Sequence, residues 1–219
     1  MSKNVAVICE GPTERIFVEK LLSKYIPNLS FHPILLGICA GNSCGGGDII
    51  YGRFKDDFAP ASKDPRYDYV TTLFDYYGLG AGWPEVEQLD NPRDRVERLE
   101  SATLELIKTD FPDSEEGAFI PFFLLHEFEG LLFSDTGAMN RVLRQPQEIF
   151  DKIIEECGEP EFVNGGVDTA PSKRLKVICG NYPKVKNNRR LSKAVTIEKM
   201  RQECPHFRDW LTKLESLTD

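Results

Sequence analysis

Four short runs, Val5–Cys9, Ile34–Ile38, Val70–Phe74 and Phe119–Leu125, are apolar or β-branched over most of their length. Each is too short for a buried helix and reads as a strand buried on both faces, the kind found in parallel sheets. Helical patterns separate them. Gly11-Pro12 puts a proline in a first helical turn, and Phe17, Leu21, Leu22 and Tyr25 then share one face before Pro27. A second helix is expected through Ile49, Ile50, Arg53, Phe54 and Phe58, after a glycine-rich turn at Gly41 and Gly45–Gly47. Asn91-Pro92 reads as a cap plus first-turn proline for a third, reaching about Phe111, and His126–Phe133 begins another. The pattern predicts an α/β fold over residues 1–135: a Rossmann-like parallel sheet of about four strands with helices on both faces.

Beyond residue 135 the strand signal stops. Ile149, Phe150, Ile153, Ile154 and Cys157 make a helical stripe closed by Gly158, and Phe207, Trp210, Leu211, Leu214 and Leu217 make another. Residues 136–219 are therefore expected to form a mainly helical extension packed on the core, with a polar, basic stretch between the stripes that is partly loop.

With 41% apolar and 28% charged residues, the chain has the balance of a soluble folded protein. No run approaches the roughly 20 apolar residues of a membrane helix, and the first residues lead straight into a strand with no leader pattern, so a cytoplasmic protein is expected. The six cysteines form no C-x-x-C pair; they read as small buried apolar groups, with Cys39–Cys44 a weak metal signal. A net charge of −8 argues against nucleic acid as a partner, but its distribution argues the other way. Between residues 173 and 193 stand Lys173, Arg174, Lys176, Lys184, Lys186, Arg189, Arg190 and Lys193, without one acidic residue. Such a segment is either a solvated surface or a contact for phosphate backbones, with Lys173, Arg174, Arg189 and Arg190 as the expected contacts.

In open parallel sheets ligands bind beyond the carboxyl ends of the strands. The first strand ends at Glu10, the third at Asp75, and the fourth just before Glu127 and Glu129. Carboxylates delivered to one edge repel each other unless a cation neutralises them, and hard oxygen ligands suit Mg²⁺ or Mn²⁺. Ordinary helix-end carboxylates are the alternative reading. Glu14 is either a further ligand or a first-turn residue favoured by the helix dipole.

Glu10-Gly11-Pro12-Thr13-Glu14, after a hydrophobic strand and opening a helix, resembles the first motif of the Toprim domain, shared by topoisomerases, bacterial primases and the overcoming-lysogenization-defect (OLD) nucleases. Phe74-Asp75-Tyr76-Tyr77-Gly78 is similar to the Asp-x-Asp motif after the third Toprim strand, with Tyr77 where the second aspartate would stand. The whole chain resembles a bacterial domain-of-unknown-function family placed near Toprim. His126-Glu127-Phe128-Glu129-Gly130-Leu131-Leu132-Phe133, Thr169-Ala170-Pro171-Ser172-Lys173-Arg174 and Cys204-Pro205-His206-Phe207 carry that likeness.

The resemblance implies a Toprim-like core and catalytic roles for Glu10, Asp75 and Glu129. It makes Glu10, Asp75 and Glu129, with Glu127 and Glu14, the metal-site acids. It further implies a metal-dependent nuclease acting on DNA or RNA, in phage or mobile-element defence alongside an ATPase partner. The competing expectation is a non-catalytic module that binds nucleic acid or protein through a degenerate site. Three smaller features have bland readings beside functional ones. Tyr76 and Tyr77 are packing groups or attacking nucleophiles. His126 is structural or a phosphate contact, and Gly45–Gly47 is a tight connection or a phosphate-facing loop. His126-Glu127 does not continue into a zinc-protease helix, because Gly130 stands where its second histidine belongs.

Overall fold

The computed structural model describes residues 2–37, 49–87, 89–163 and 169–218. Ile38, Cys39, Cys44 and the glycine-rich turn lie outside the described residues. The chain divides into two compact units: Met1–Phe123 with Leu217–Asp219, and Leu124–Ser216.

The first unit is built on β1 (Lys3–Cys9), β2 (Leu29–Leu35), β3 (Tyr69–Asp75) and β4 (Phe119–Ile120), in the spatial order β2-β1-β3-β4, with β5 (Phe123–Leu124) also paired to β3. The pairs β1–β2, β1–β3 and β3–β4 are parallel. Central position explains the continuous apolar run of β1: Val5 to Cys9 are each 0% exposed, so both faces are covered. Two crossovers supply the cover. Between β1 and β2 the chain forms α1 (Pro12–Phe17), a π-helical turn (Val18–Leu22) and α2 (Ser23–Tyr25). Between β2 and β3 it forms α3 (Tyr51–Lys63). These connections cross in opposite directions, and right-handed crossovers then put α1 and α3 on opposite faces. The predicted α/β architecture is the one observed.

Three local differences have physical causes. The second strand starts at Leu29, ahead of the Ile34–Ile38 run, because β2 is an edge strand. Edges tolerate Pro33 and the exposed His32, which a search for buried runs passes over. Ile49 and Ile50 precede α3; Ile49 instead bridges to Leu79. The Phe119–Leu125 run is two short strands, because Pro121 cannot donate to the ladder. Side chains make up the missing bonds. Thr71 Oγ1 donates to Ile120 O at 2.6 Å, Phe122 N donates to Thr72 Oγ1 at 2.8 Å, and Phe123 N donates to the buried Glu100 carboxylate at 3.1 Å. Glu100 comes from α4 (Pro92–Asp110), which Asn91 caps by accepting from Arg93 N, as its sequence predicts. Phe54 and Phe58 of α3 pack with Phe74, Phe119 and Trp83, ring centroids 4.9 to 6.1 Å apart, to form the aromatic core of this unit.

The second unit is helical among its described residues: α5 (Glu129–Leu132), α6 (Thr136–Leu143), α7 (Gln147–Cys157), α8 (Pro171–Cys179), α9 (Lys184–Val195), α10 (Ile197–Glu203) and α11 (Pro205–Glu215). Gly158, at φ +87°, stops α7 where the sequence places the stop. The basic stretch is less loop than expected, since most of it is α8 and α9. Cys204 at the start of α11 offers no side-chain cap; Glu161 accepts instead from His206 N at 2.9 Å and Phe207 N at 3.0 Å. A buried carboxylate on two first-turn donors satisfies orphan N–H groups and the helix dipole together. Glu161→Ala is therefore expected to destabilise the protein by about 2 kcal/mol in urea unfolding. Among the described residues no helix is long and apolar enough to cross a membrane.

Candidate functional site

The order β2-β1-β3-β4 has its switch point between β1 and β3: the chain leaves β1 toward β2 on one side and returns to β3 on the other. The crevice at such a point, beyond the carboxyl ends of the strands, is the default ligand position in open α/β sheets. Glu10 directly follows β1, and Asp75 is the last residue of β3. They are brought together: Glu10 N donates to Leu73 O at 3.4 Å, and Asp75 N donates to Glu10 Oε2 at 3.4 Å. Asp75 is buried and Glu10 half-buried.

Gly78 completes the crevice. A Cβ on this residue would lie 3.3 Å from Glu10 Oε2, 3.6 Å from Glu10 Oε1 and 3.7 Å from Asp75 Cβ. Its backbone has no room to retreat, because Gly78 O accepts from Ile49 N at 2.7 Å and the loop is pinned again by Gly80 N to Ile49 O at 2.9 Å. Only glycine leaves room on that side of the Glu10 carboxylate. In the sequence, the position of Gly78 three residues after a strand-end aspartate is the available signal. Tyr77 beside it is 58% exposed and stacks edge-on with Tyr76 at 5.4 Å.

Glu14 has a different role. Its Oε2 accepts from Gly11 N at 3.0 Å, closing a capping box at the start of α1. Cys9 is fully buried one residue before Glu10, and burial, with Glu14 nearby, pushes its thiol pKa well up. It is an apolar filler, as expected, and Cys204 is another.

Glu127 and Glu129 belong to the second unit, where both carboxylates have local partners. Glu127 accepts from Ser172 N at 2.8 Å and Ser172 Oγ at 3.0 Å, so it caps α8. Glu129 is 0% exposed. Its Oε1 accepts from Asn188 Nδ2 at 3.0 Å, and Asn188 Oδ1 accepts from Tyr182 OH at 2.6 Å. Its Oε2 has no hydrogen bond of good geometry but stands 3.2 Å from Lys184 Nζ, so the oxygen is ion-paired rather than orphaned. Burial raises the Glu129 pKa, against the opposing pull of Lys184 and Asn188. Lys184, Asn188 and Tyr182 were not singled out by sequence reasoning, since no local pattern links them to Glu129. His126 is buried.

The four expected phosphate contacts divide. Lys173, Arg189 and Arg190 are exposed. Arg174 is committed internally, with its side chain only 19% exposed, to Glu156 at 3.3 Å and Thr169 O at 3.0 Å.

Among the described residues no three or more His, Cys, Asp or Glu come together as a metal-holding group. The Glu10–Asp75 pair is a smaller donor set, which suits a hard ion that keeps waters and takes further oxygens from a phosphate. No curated protein and no solved structure matches the chain. A family model described as domain of unknown function (DUF4276) matches residues 9–215, spanning both compact units, and the chain belongs to that family.

Proposed function

We propose that the crevice between β1 and β3 binds Mg²⁺ or Mn²⁺ through Glu10 and Asp75, and that the protein is a Toprim-like, metal-dependent nuclease. One observation carries the reading: Glu10 and Asp75 stand side by side at the switch point of a parallel sheet, joined by the Asp75 N–H to Glu10 Oε2, and the missing Cβ of Gly78 leaves room beside Glu10. When bound there, a divalent cation polarises a phosphoryl oxygen and makes water a usable nucleophile near neutral pH. Glu10 and Asp75 supply the negative charge that recruits it, and the Asp75 N–H fixes the Glu10 carboxylate in place. The likeness of Glu10–Glu14 and Phe74–Gly78 to Toprim motifs supports the same reading, as does the likeness to OLD nucleases. From that likeness follow nucleic acid as substrate and phage or mobile-element defence with an ATPase partner. Glu129 is held within the second unit by Lys184 and Asn188, so Glu10 and Asp75 carry the proposal.

The test is cleavage of DNA and RNA with Mg²⁺ or Mn²⁺, comparing the native protein with Glu10→Ala and Asp75→Ala. Loss in both variants is the expected result; equal cleavage by all three would mean a contaminant. Tyr77 in place of a second aspartate favours a second reading, a binding module with a degenerate site. Nucleic-acid binding that persists in EDTA, with no cleavage under any metal, would select it.

A further inference from the structure

Helix α9 has two unlike faces. Asn187, Asn188, Leu191, Ser192 and Val195 are buried. Lys186, Arg189, Arg190 and Lys193 are exposed at spacings i, i+3, i+4 and i+7, which is one continuous stripe along the helix. Lys186, Arg189 and Lys193 make no ion pair or hydrogen bond within the described residues, and Arg190 donates only to a backbone carbonyl, Val142 O at 3.2 Å. Four like charges on adjacent turns repel one another, and no acidic residue stands between positions 169 and 197 to offset them. In a chain of net charge −8, which has acids in plenty, this stretch of sequence carries none.

We infer that the α9 stripe is a docking surface for the phosphodiester backbone of nucleic acid. Lys186 to Lys193 spans about 10 Å of helix, on the order of three phosphate steps of one duplex strand. Asn187 and Asn188, whose amides could pair with adenine, face inward, which leaves the stripe purely cationic and suited first to phosphates. Its orientation is fixed from below, since Asn188 and Lys184 of the same helix both bind Glu129. Lys173 and Lys176 are likewise exposed, on α8. This assignment rests on nucleic acid being the substrate, not on cleavage.

The experiment is fluorescence anisotropy of the full chain with mixed-sequence DNA and RNA oligonucleotides in EDTA, from 50 to 200 mM salt. Four phosphate contacts weaken binding by on the order of 10²-fold across that range. A variant with Lys186, Arg189, Arg190 and Lys193 all changed to Gln is expected to lose that salt dependence. Its affinity at 50 mM should fall on the order of 10²-fold, with an unchanged circular dichroism spectrum. A control changing the exposed Lys24, Lys63, Lys152 and Lys213 to Gln removes the same charge and should bind like the native protein. Equal binding by the stripe variant, an equal loss in the control, or capture by phosphatidylserine vesicles in place of oligonucleotides would each overturn the assignment. Glu10→Ala separates the two readings. Stripe-dependent binding without any cleavage sinks the nuclease and leaves the surface; cleavage untouched by the stripe variant does the reverse.

Discussion

Glu10→Gln and Gly78→Val are each expected to weaken Mn²⁺ binding and metal-dependent cleavage on the order of 10²-fold or more, while leaving the fold intact. They act by different routes. The first removes a charge from the pair and keeps the shape. The second keeps both charges and fills the space beside Glu10, where even an alanine Cβ would come within 3.3 Å of Oε2. The loop has no freedom to accommodate it, because Gly78 O is tied to Ile49 N at 2.7 Å, so the carboxylate must swing away. Gly78 does not occupy the left-handed region, so the larger residue brings no backbone strain and the thermal midpoint should stay near that of the native protein. Gly78→Ala should fall between, with a loss on the order of 10-fold. Calorimetric titration with Mn²⁺ decides the matter without any nuclease assay. Unchanged affinity in Gly78→Val would place the cation elsewhere.

The sequence was most informative where residues are buried on both faces. The run Val5–Cys9 reads as a buried strand from its sequence, which places Glu10 at the carboxyl end of the sheet. It was least informative where distant groups replace a local rule. Pro121 breaks the fourth strand, but Thr71, Thr72 and Glu100 restore its bonds from elsewhere in the first unit, so an apolar run that looks continuous is two short strands. Helix α9 was read as partly loop because its buried face is largely Asn187, Asn188 and Ser192, which carry no hydrophobic period. The acidic residues show the same limit. Glu10, Asp75, Glu127 and Glu129 look alike as strand-end carboxylates. Only their partners distinguish a carboxylate joined to the Asp75 backbone at the switch point from a helix cap on Ser172 and a buried ion pair with Lys184.

That ion pair sets the last expectation. In metal-free buffer Lys184→Ala should destabilise the protein by about 2 kcal/mol at pH 8 and by much less at pH 5. Removing one partner of a fully buried pair costs about 3–5 kcal/mol, and the discount reflects a Lys184 side chain that is 40% exposed and so partly screened by water. The sign follows from Glu129, whose folded-state pKa burial raises above its usual value of 4.5. An acid with a raised pKa costs nothing below its unfolded value, where both states are protonated; the cost grows as pH climbs through the folded value and persists above it. Lys184 is the main group holding that pKa down, so without it the shift enlarges, and the variant diverges from the native protein on the alkaline side. Glu129→Gln removes the ionisation and keeps an oxygen for Asn188 to donate to, so its stability should be flatter with pH and no lower at pH 8. The double variant, Lys184→Ala with Glu129→Gln, should then recover most of the loss. Urea unfolding of all four proteins between pH 5 and pH 8 tests this. A Lys184→Ala penalty that is the same at both ends would mean that Glu129 is not ionised in the native state, and that Lys184 contributes by packing alone.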